Sequence, residues 1–258
     1  MLSESLLHRA AALKLHGVIS QASEIKEDGA SWLEQFIIWE ETHRSQRSLE
    51  GRLHKSKLER FKSMADFDWG WPKHCDRDVV AQWLQLSFME GANNLILCGP
   101  NGVGKTMVAK NIAFQAVLKG GTALFITAAS MLNDLADLDS DRALRSRIKY
   151  YAQPGLLILD EVGQLSYSNR HADLLFQVIA QRYEKKSTCI TTNRPFPEWG
   201  EMFPNATCVV SIIDRLIHHS EILNIDGESY RLKEAGEKNS ERAALRGKKT
   251  SPSKEISA

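Results

Sequence analysis

The chain has 258 residues, 43% of them hydrophobic and 25% charged, with a formal net charge of +1. That length accommodates one large domain plus a smaller one, the composition is that of a soluble globular protein, and the balanced charge means that any nucleic-acid surface must be local. No apolar run approaches the length of a membrane span, and the start, with Glu4 among Leu2, Leu6 and Leu7, lacks the apolar core of a secretory signal, so a cytoplasmic location without membrane contact is expected. Cys75, Cys98, Cys189 and Cys208 form no C-x-x-C pair, which argues for reduced thiols and against a disulfide framework or a zinc site built on cysteine.

Residues 1–63 are expected to form a small all-helical N-terminal domain. Leu6, Leu7, Ala10, Leu13 and Leu15 have the spacing of one amphipathic helix, and Trp32, Phe36, Ile37 and Trp39 mark a second that starts near Ser31. Charge then changes sign. Residues 1–43 lean acidic, whereas Arg44, Arg47, Arg52, Lys55, Lys57, Arg60 and Lys62 stand against only Glu50 and Glu59. Such a basic helix either tracks phosphates or is a solvated face. Residues 64–93 read as a junction. Phe67, Trp69, Trp71 and Pro72 are expected to pack the helical arm onto the next domain, the alternative being a stack on a base or nucleotide. Val79 to Phe88 reads as a helix.

Leu95 to Cys98 has the length of a buried strand. Gly99-Pro100-Asn101-Gly102-Val103-Gly104-Lys105-Thr106 then matches G-x-x-x-x-G-K-[ST], the phosphate-binding P-loop, and Met107 to Leu118 has helical spacing. The glycines let the backbone aim N–H groups at phosphate oxygens, Lys105 can place a cation on the β- and γ-phosphates, and Thr106 can put a hydroxyl on Mg²⁺. Gly99 to Met107 is therefore the candidate nucleotide-binding stretch. After Gly120-Gly121, Thr122 to Thr127 reads as a second strand and Ser130 as the cap of a helix through Leu135. Asp141 to Tyr151 carries a second basic cluster, Arg142, Arg145, Arg147 and Lys149.

Leu156 to Leu159 is an apolar run that ends in Asp160-Glu161. An Asp at such a strand tip supplies the second Mg²⁺ contact, and Glu161 is placed to act as general base on the attacking water. Residues 172–183 make another helix and Ser187 to Thr192 another strand, with Asn193 at its tip to hold that water or read the γ-phosphate, or else to turn the chain before Pro195. Trp199 to Pro204 reads as a loop, Val209 to His219 as a helix and Glu221 to Asp226 as a last strand. From Glu234 the polar chain is expected to be disordered. Strands alternating with helices predict an α/β fold with a mostly parallel sheet flanked by helices.

Gly-Pro-x-Gly-x-Gly-Lys-Thr, Leu-Ile-Leu-Asp-Glu, Thr-Thr-Asn-Arg-Pro, Ile-Ile-Asp-Arg-Leu and Ser-Tyr-Arg-Leu-Lys occur in that order. With these motifs the chain resembles AAA+ ATPases of the initiator and helicase-loader type, and within them the IstB-like helpers of insertion-sequence transposition, relatives of DnaC. The similarity is strong over residues 64–233 and weaker over the N-terminal segment, where His16 stands at a position expected to be proline. The resemblance implies an AAA+ domain over 64–233 without the usual C-terminal lid, ATP and Mg²⁺ as cofactors, and hydrolysis of ATP. It makes Lys105 and Thr106 the Walker A ligands, Asp160 and Glu161 the Walker B pair, Asn193 sensor 1, Arg215 an arginine finger acting on a neighbouring subunit, and Arg231 the sensor 2 arginine.

The resemblance also implies an ATP-dependent homo-oligomer on duplex DNA that activates and targets a partner transposase. DNA contacts would come from the two basic clusters, with little sequence preference. The competing readings are a helicase loader on single-stranded DNA, a small-molecule kinase, and a nucleotide-gated adaptor with negligible hydrolysis. Glu161, Asn193 and the lack of an arginine-rich lid count against the kinase.

Overall fold

The computed structural model describes residues 3–25, 27–163, 167–203 and 206–249. The chain divides into two compact units, residues 1–55 and 56–258.

The first unit contains α1 (Glu4–Ala12), α2 (His16–Ser20) and most of α3 (Glu27–Ser56). Ser3 caps α1 by accepting the Leu6 N–H. The single helix expected through Leu15 instead stops after Ala12, where Lys14 takes a left-handed conformation (φ 59°). Leu6, Ala10 and Leu13 are buried with Leu33 and Ile37, a pair four residues apart on one face of α3. Trp32 and Trp39 point outward, 63% and 60% exposed, so they do not mark the buried face, and α3 starts at Glu27 rather than near Ser31.

The second unit is an α/β domain. α4 (Arg77–Gln85) is capped by Asp76 and ends where Leu86 turns left-handed, short of the expected Phe88. There follow β1 (Asn94–Cys98), α5 (Lys105–Leu118), β2 (Ala123–Thr127), α6 (Ala128–Ala136), α7 (Asp141–Ala152) and β3 (Leu156–Val162). The chain continues through α8 (Asn169–Arg182), β4 (Ser187–Thr192), α9 (Trp199–Met202), α10 (Ala206–His218), β5 (Ser220–Asn224) and α11 (Tyr230–Lys249). All five strands are parallel, in the order β2-β3-β4-β1-β5. A parallel sheet with helices on both faces buries its central strands completely. Leu95 to Leu97 and Leu156 to Leu159 are accordingly fully buried. Leu124, Leu157, Leu159 and Ile190 form one core with α6, α8 and α10, while α5 covers the opposite face through Val108, Ile112 and Ala116.

Three local expectations are corrected. Thr127, not Ser130, caps α6, its hydroxyl accepting the Ser130 N–H. Trp199 opens a turn of helix instead of a loop because its ring is wholly buried against Phe196 and Phe203; Pro204, at the end of that expected loop, lies outside the described residues. The tail is helical as far as Lys249, since its Ala, Glu, Lys and Arg are strong helix formers and its first turn is anchored, with the Tyr230 N–H donating to the Gly102 carbonyl (3.0 Å) and Lys233 paired with Asp68 (3.0 Å). Residues 250–258 of the tail lie outside the described residues. Among the described residues α11 is all that follows β5, and no helix is long and apolar enough to cross a membrane.

Arg182 ends α8 almost wholly buried and, among the described residues, forms no ion pair with a carboxylate. Its guanidinium donates to the carbonyls of Tyr151 (3.4 Å), Ala152 (3.0 Å), Pro154 (2.9 Å) and Ser187 and to the Thr188 hydroxyl (3.0 Å). It thereby ties the C-terminus of α7, where a cation is favoured by the helix dipole, to the start of β4. Burial pushes its pKa down to about 9, and it stays charged at neutral pH. Arg182→Met removes the donors and strands these acceptors; we expect a loss of roughly 2–4 kcal/mol in chemical denaturation, with an unchanged m-value.

Candidate active site

Ligands of open parallel sheets bind at the carboxyl ends of the strands. Here the ends of β1, β4 and β3 lie side by side, and each delivers one part of a single cleft. β1 leads into the loop 99–104. Gly104 N-caps α5 at φ 104°, and a Cβ there would lie 2.6 Å from the Phe67 ring; at Gly102 (φ 83°) it would lie 2.1 Å from the Ser229 hydroxyl. The loop is thus held between residues 62–72 and 226–234, and neither position admits a side chain. Asn111 on α5 fixes the first of these segments, accepting the Met64 N–H (3.1 Å) and donating to the carbonyl of Lys62 (3.0 Å). The loop and the N-terminus of α5 together present the N–H groups and dipole that suit a phosphate chain.

Lys105 is buried at the mouth of the loop, its ammonium donating to the carbonyls of Gly99 (2.7 Å) and Pro100 (2.6 Å). Burial lowers its pKa from the ordinary lysine value, while the nearby Asp160 acts to raise it. The Thr106 hydroxyl lies 3.0 and 3.1 Å from the two carboxylate oxygens of Asp160. A hydroxyl paired with a carboxylate is an all-oxygen donor set suited to Mg²⁺, which keeps most of its positions for water and phosphate. Asn101 to Met107 all line the cleft.

β3 is irregular at its carboxyl end. Leu159 pairs with Ile190, but the next partners are Val162 and Thr192, so Asp160 and Glu161 together oppose Thr191. This β-bulge places Glu161 at φ 60°, a conformation that costs a non-glycine residue about 1–3 kcal/mol. In a regular strand consecutive side chains point to opposite faces. The bulge instead brings both acids to one cleft: Asp160 bonds Thr106, and Glu161 lines the same pocket. Thr191 holds the distortion. Its hydroxyl accepts the Glu161 N–H (2.9 Å) and donates to Asp160 (2.5 Å). Thr191 is a site residue that the sequence alone does not single out, because only the register of β3 against β4 sets it opposite the two acids.

Asn193, at the tip of β4, lines the cleft with its side-chain oxygen buried and without a hydrogen-bond partner. Arg231, at the start of α11, lines the cleft from the other side with Tyr230, Phe67 and Trp71. Phe67 is both packing and lining, against the Trp69 ring at 4.6 Å, and the Trp71 indole N–H donates to the Glu228 carbonyl (2.9 Å). Phe67 therefore walls the site while buried, and the half-exposed Trp71 walls it beside Tyr230. Arg215 is not in this cleft. Its guanidinium lies over Phe176 (4.6 Å) and near Tyr183 (6.0 Å), on α10.

The basic residues are only partly gathered. Arg44 pairs with Glu40 (2.6 Å) and donates to the Leu13 carbonyl, and Arg52 donates to Ser48. Arg47 and Lys55 are exposed on the same helix. In the second unit Arg60 is exposed, and Arg142, Arg145, Arg147 and Lys149 are exposed along α7. Lys57 and Arg147, from the two separate clusters, share the Tyr150 ring at 5.9 and 5.7 Å.

The profile of the family described as IstB-like ATP binding protein matches residues 7–238. A protein of insertion sequence IS21 in Pseudomonas aeruginosa, described as ATP-binding, is 36% identical over 220 residues, covering 85% of this chain and 83% of its own. Another, from insertion sequence IS5376 of Geobacillus stearothermophilus, is 38% identical over 188 residues, covering 73% and 75%. Among solved structures, DnaI superposes with a TM-score of 0.54 at 20% identity, over 65% of this chain and 92% of that one, a likeness of fold. With the match spanning both units and carrying the phosphate loop, the two acids and Asn193, the chain belongs to the IstB-like ATP-binding family.

Proposed function

We propose that the protein is an ATPase that assembles on duplex DNA as a homo-oligomer and serves a partner transposase. The observation that carries the reading is the bulge that presents Asp160 to Thr106 while turning Glu161 into the same cleft. A mere phosphate-binding loop has no use for the second acid. ATP would lie with its phosphates on residues 99–106, Lys105 leaving its carbonyl partners for the β- and γ-oxygens. Thr106 and Asp160 would hold Mg²⁺, which when bound neutralises charge on the phosphate chain. Glu161 would take a proton from the water that attacks the γ-phosphorus as the bond to the bridging oxygen breaks, and Asn193, with its free buried oxygen, would orient that water.

Arg231 would contact the phosphates within its own chain. Arg215, outside that cleft and on a helix that also exposes Val210 (67%) and Ile217 (39%), would act on the nucleotide of a neighbouring copy, so hydrolysis would require assembly. The membership of the chain in a family of insertion-sequence proteins supports the transposase as partner. The α7 residues, joined by Lys57 at Tyr150, supply a basic surface with no base-reading motif and so would contact the DNA backbone.

The first test is the mass of the complex on duplex and on single-stranded DNA, with ATP and with ADP. A large assembly on duplex with ATP alone is expected; preference for single strands would favour a helicase-loading role, and absence of DNA binding in all four states would overturn the proposal. Lys105→Ala should abolish the ATP-dependent assembly. Glu161→Gln should retain ATP binding and lower turnover by about 10²-fold or more, leaving a long-lived DNA complex. Thr191→Val, which deletes both bonds that fix the bulge, should lower turnover with little change in nucleotide affinity.

Arg215→Ala should bind nucleotide yet lose about 10³-fold in turnover, recovered in part when it is mixed with Lys105→Ala chains that keep Arg215. Normal hydrolysis by Arg215→Ala would remove the trans-acting role. Joint replacement of Arg145, Arg147 and Lys149 by Ala should weaken binding equally on all duplex sequences and reduce the slope of log K against log salt by about 2–3, measured by fluorescence anisotropy.

A further inference from the structure

At the opposite end of the sheet from the phosphate loop, three metal-ligating side chains converge. His218 ends α10, His219 precedes β5 at the amino edge of the sheet, and Glu184 lies in the turn between α8 and β4. One donor atom from each lies within 4.8 Å of the others. The His219 Nε2 is 3.5 Å from the Glu184 carboxylate, and the two imidazole rings are 4.0 Å apart. Glu184 has a left-handed backbone (φ 56°), a conformation glutamate rarely adopts, and it is this turn that brings the carboxylate to the histidines. The Tyr183 hydroxyl lies 2.8 Å from Nδ1 of His218. With the proton on Nδ1, His218 donates to the phenol oxygen and keeps its Nε2 lone pair for a metal, the outer-shell pattern that fixes ring and tautomer in zinc sites.

We infer that Glu184, His218 and His219 form a binding site for a first-row divalent metal of the zinc class, separate from the nucleotide cleft. Two imidazoles and one carboxylate are the donor set of open zinc sites, in which water fills the fourth position. In a tetrahedral site with Zn–N bonds of about 2.0–2.1 Å the donors stand about 3.4 Å apart. Shifts of about 1 Å in the donor positions therefore complete the site, and all three side chains are exposed at the surface. Mg²⁺ prefers an all-oxygen shell and does not compete for imidazoles. No cysteine is among the three donors, and Cys189 on the neighbouring strand is wholly buried. The metal would tie the Tyr183–Glu184 turn to the junction of α10 with β5, beside the Tyr183 ring that lies 6.0 Å from the Arg215 guanidinium.

Titration of the full chain with zinc chloride, in buffer containing millimolar Mg²⁺, tests the site by calorimetry and by metal analysis after dialysis. One Zn²⁺ per chain at micromolar affinity or tighter is expected. Glu184→Gln, and separately His218→Asn with His219→Asn, should each weaken it tenfold or more without changing the metal-free melting temperature, because the side chains are exposed. The Co²⁺ form should give the visible d–d bands of a four- or five-coordinate ion without a thiolate charge-transfer band. Failure to take up Zn²⁺, uptake unchanged in both variants, or a thiolate band would each overturn the proposal. ATP hydrolysis is not read in this experiment, so its outcome is independent of the nucleotide chemistry.

Discussion

Two neighbouring acids can serve one reaction only if the backbone stops behaving as a strand between them. β3 is fully buried up to Leu159 and obeys the alternation of a sheet; over Asp160 and Glu161 it does not. The cost of the left-handed Glu161 is met by the hydroxyl of Thr191, which bonds the Glu161 backbone and the Asp160 carboxylate at once. The rest of the cleft is arranged around that bond pair. Asp160 reaches Thr106 because β3 and β1 flank β4, and Thr191 lies on β4 between them. The strand order is therefore a requirement of the chemistry: with β1 and β3 separated by more than one strand, hydroxyl and carboxylate would be too far apart to share an ion.

The cleft has a second wall that comes from outside the sheet. Residues 62–72 and the start of α11 close over the phosphate loop, joined by Lys62 to Glu234 (2.5 Å) and by Lys233 to Asp68 (3.0 Å). These pairs are exposed and contribute little to stability. Their consequence is geometric, since Arg231 lies between Tyr230 and Leu232 in the turn they anchor and so is held at the cleft. Among the described residues a single helix after β5 thus supplies an arginine to the site.

The buried half of this architecture could be read from residue order. The phosphate loop, the apolar run before Asp160 and the Thr-Thr-Asn strand tip are short patterns whose meaning is local, and the parallel sheet follows from strands alternating with helices. What escaped was set by partners distant in sequence. Nothing near Thr191 reveals that it will oppose two residues of β3, because a bulge is a property of the pair of strands. Residue order does not separate a core aromatic from a site wall, and Phe67 is both once residues 226–234 lie along the same cleft, with Trp71 lining it half-exposed. Glu234 to Lys249 looked too polar to order; its first turn is stabilised by the loop at Gly102, a contact invisible to composition. On α3 the aromatic residues drew attention to the wrong face, since Leu33 and Ile37 are buried and the tryptophans are not.

β4 also gives the domain a mechanical axis. Its first residues are fixed by Arg182, which at the same time closes the C-terminus of the basic helix α7, and its last residues, Thr191 and Thr192, enter the cleft at Asp160 and Gly99. Thr188 to Thr192 are buried throughout. Arg182 therefore links the end of α7 to the strand whose far end bonds the Glu161 backbone through Thr191. The same turn, residues 182–184, continues into the His218–His219 cluster and carries the Tyr183 ring that lies 6.0 Å from the Arg215 guanidinium. The residues proposed to touch DNA, to act on a neighbouring nucleotide and to bind a second metal are therefore attached to one short segment, while the proposed nucleotide cleft lies at the far end of the strand that leaves it.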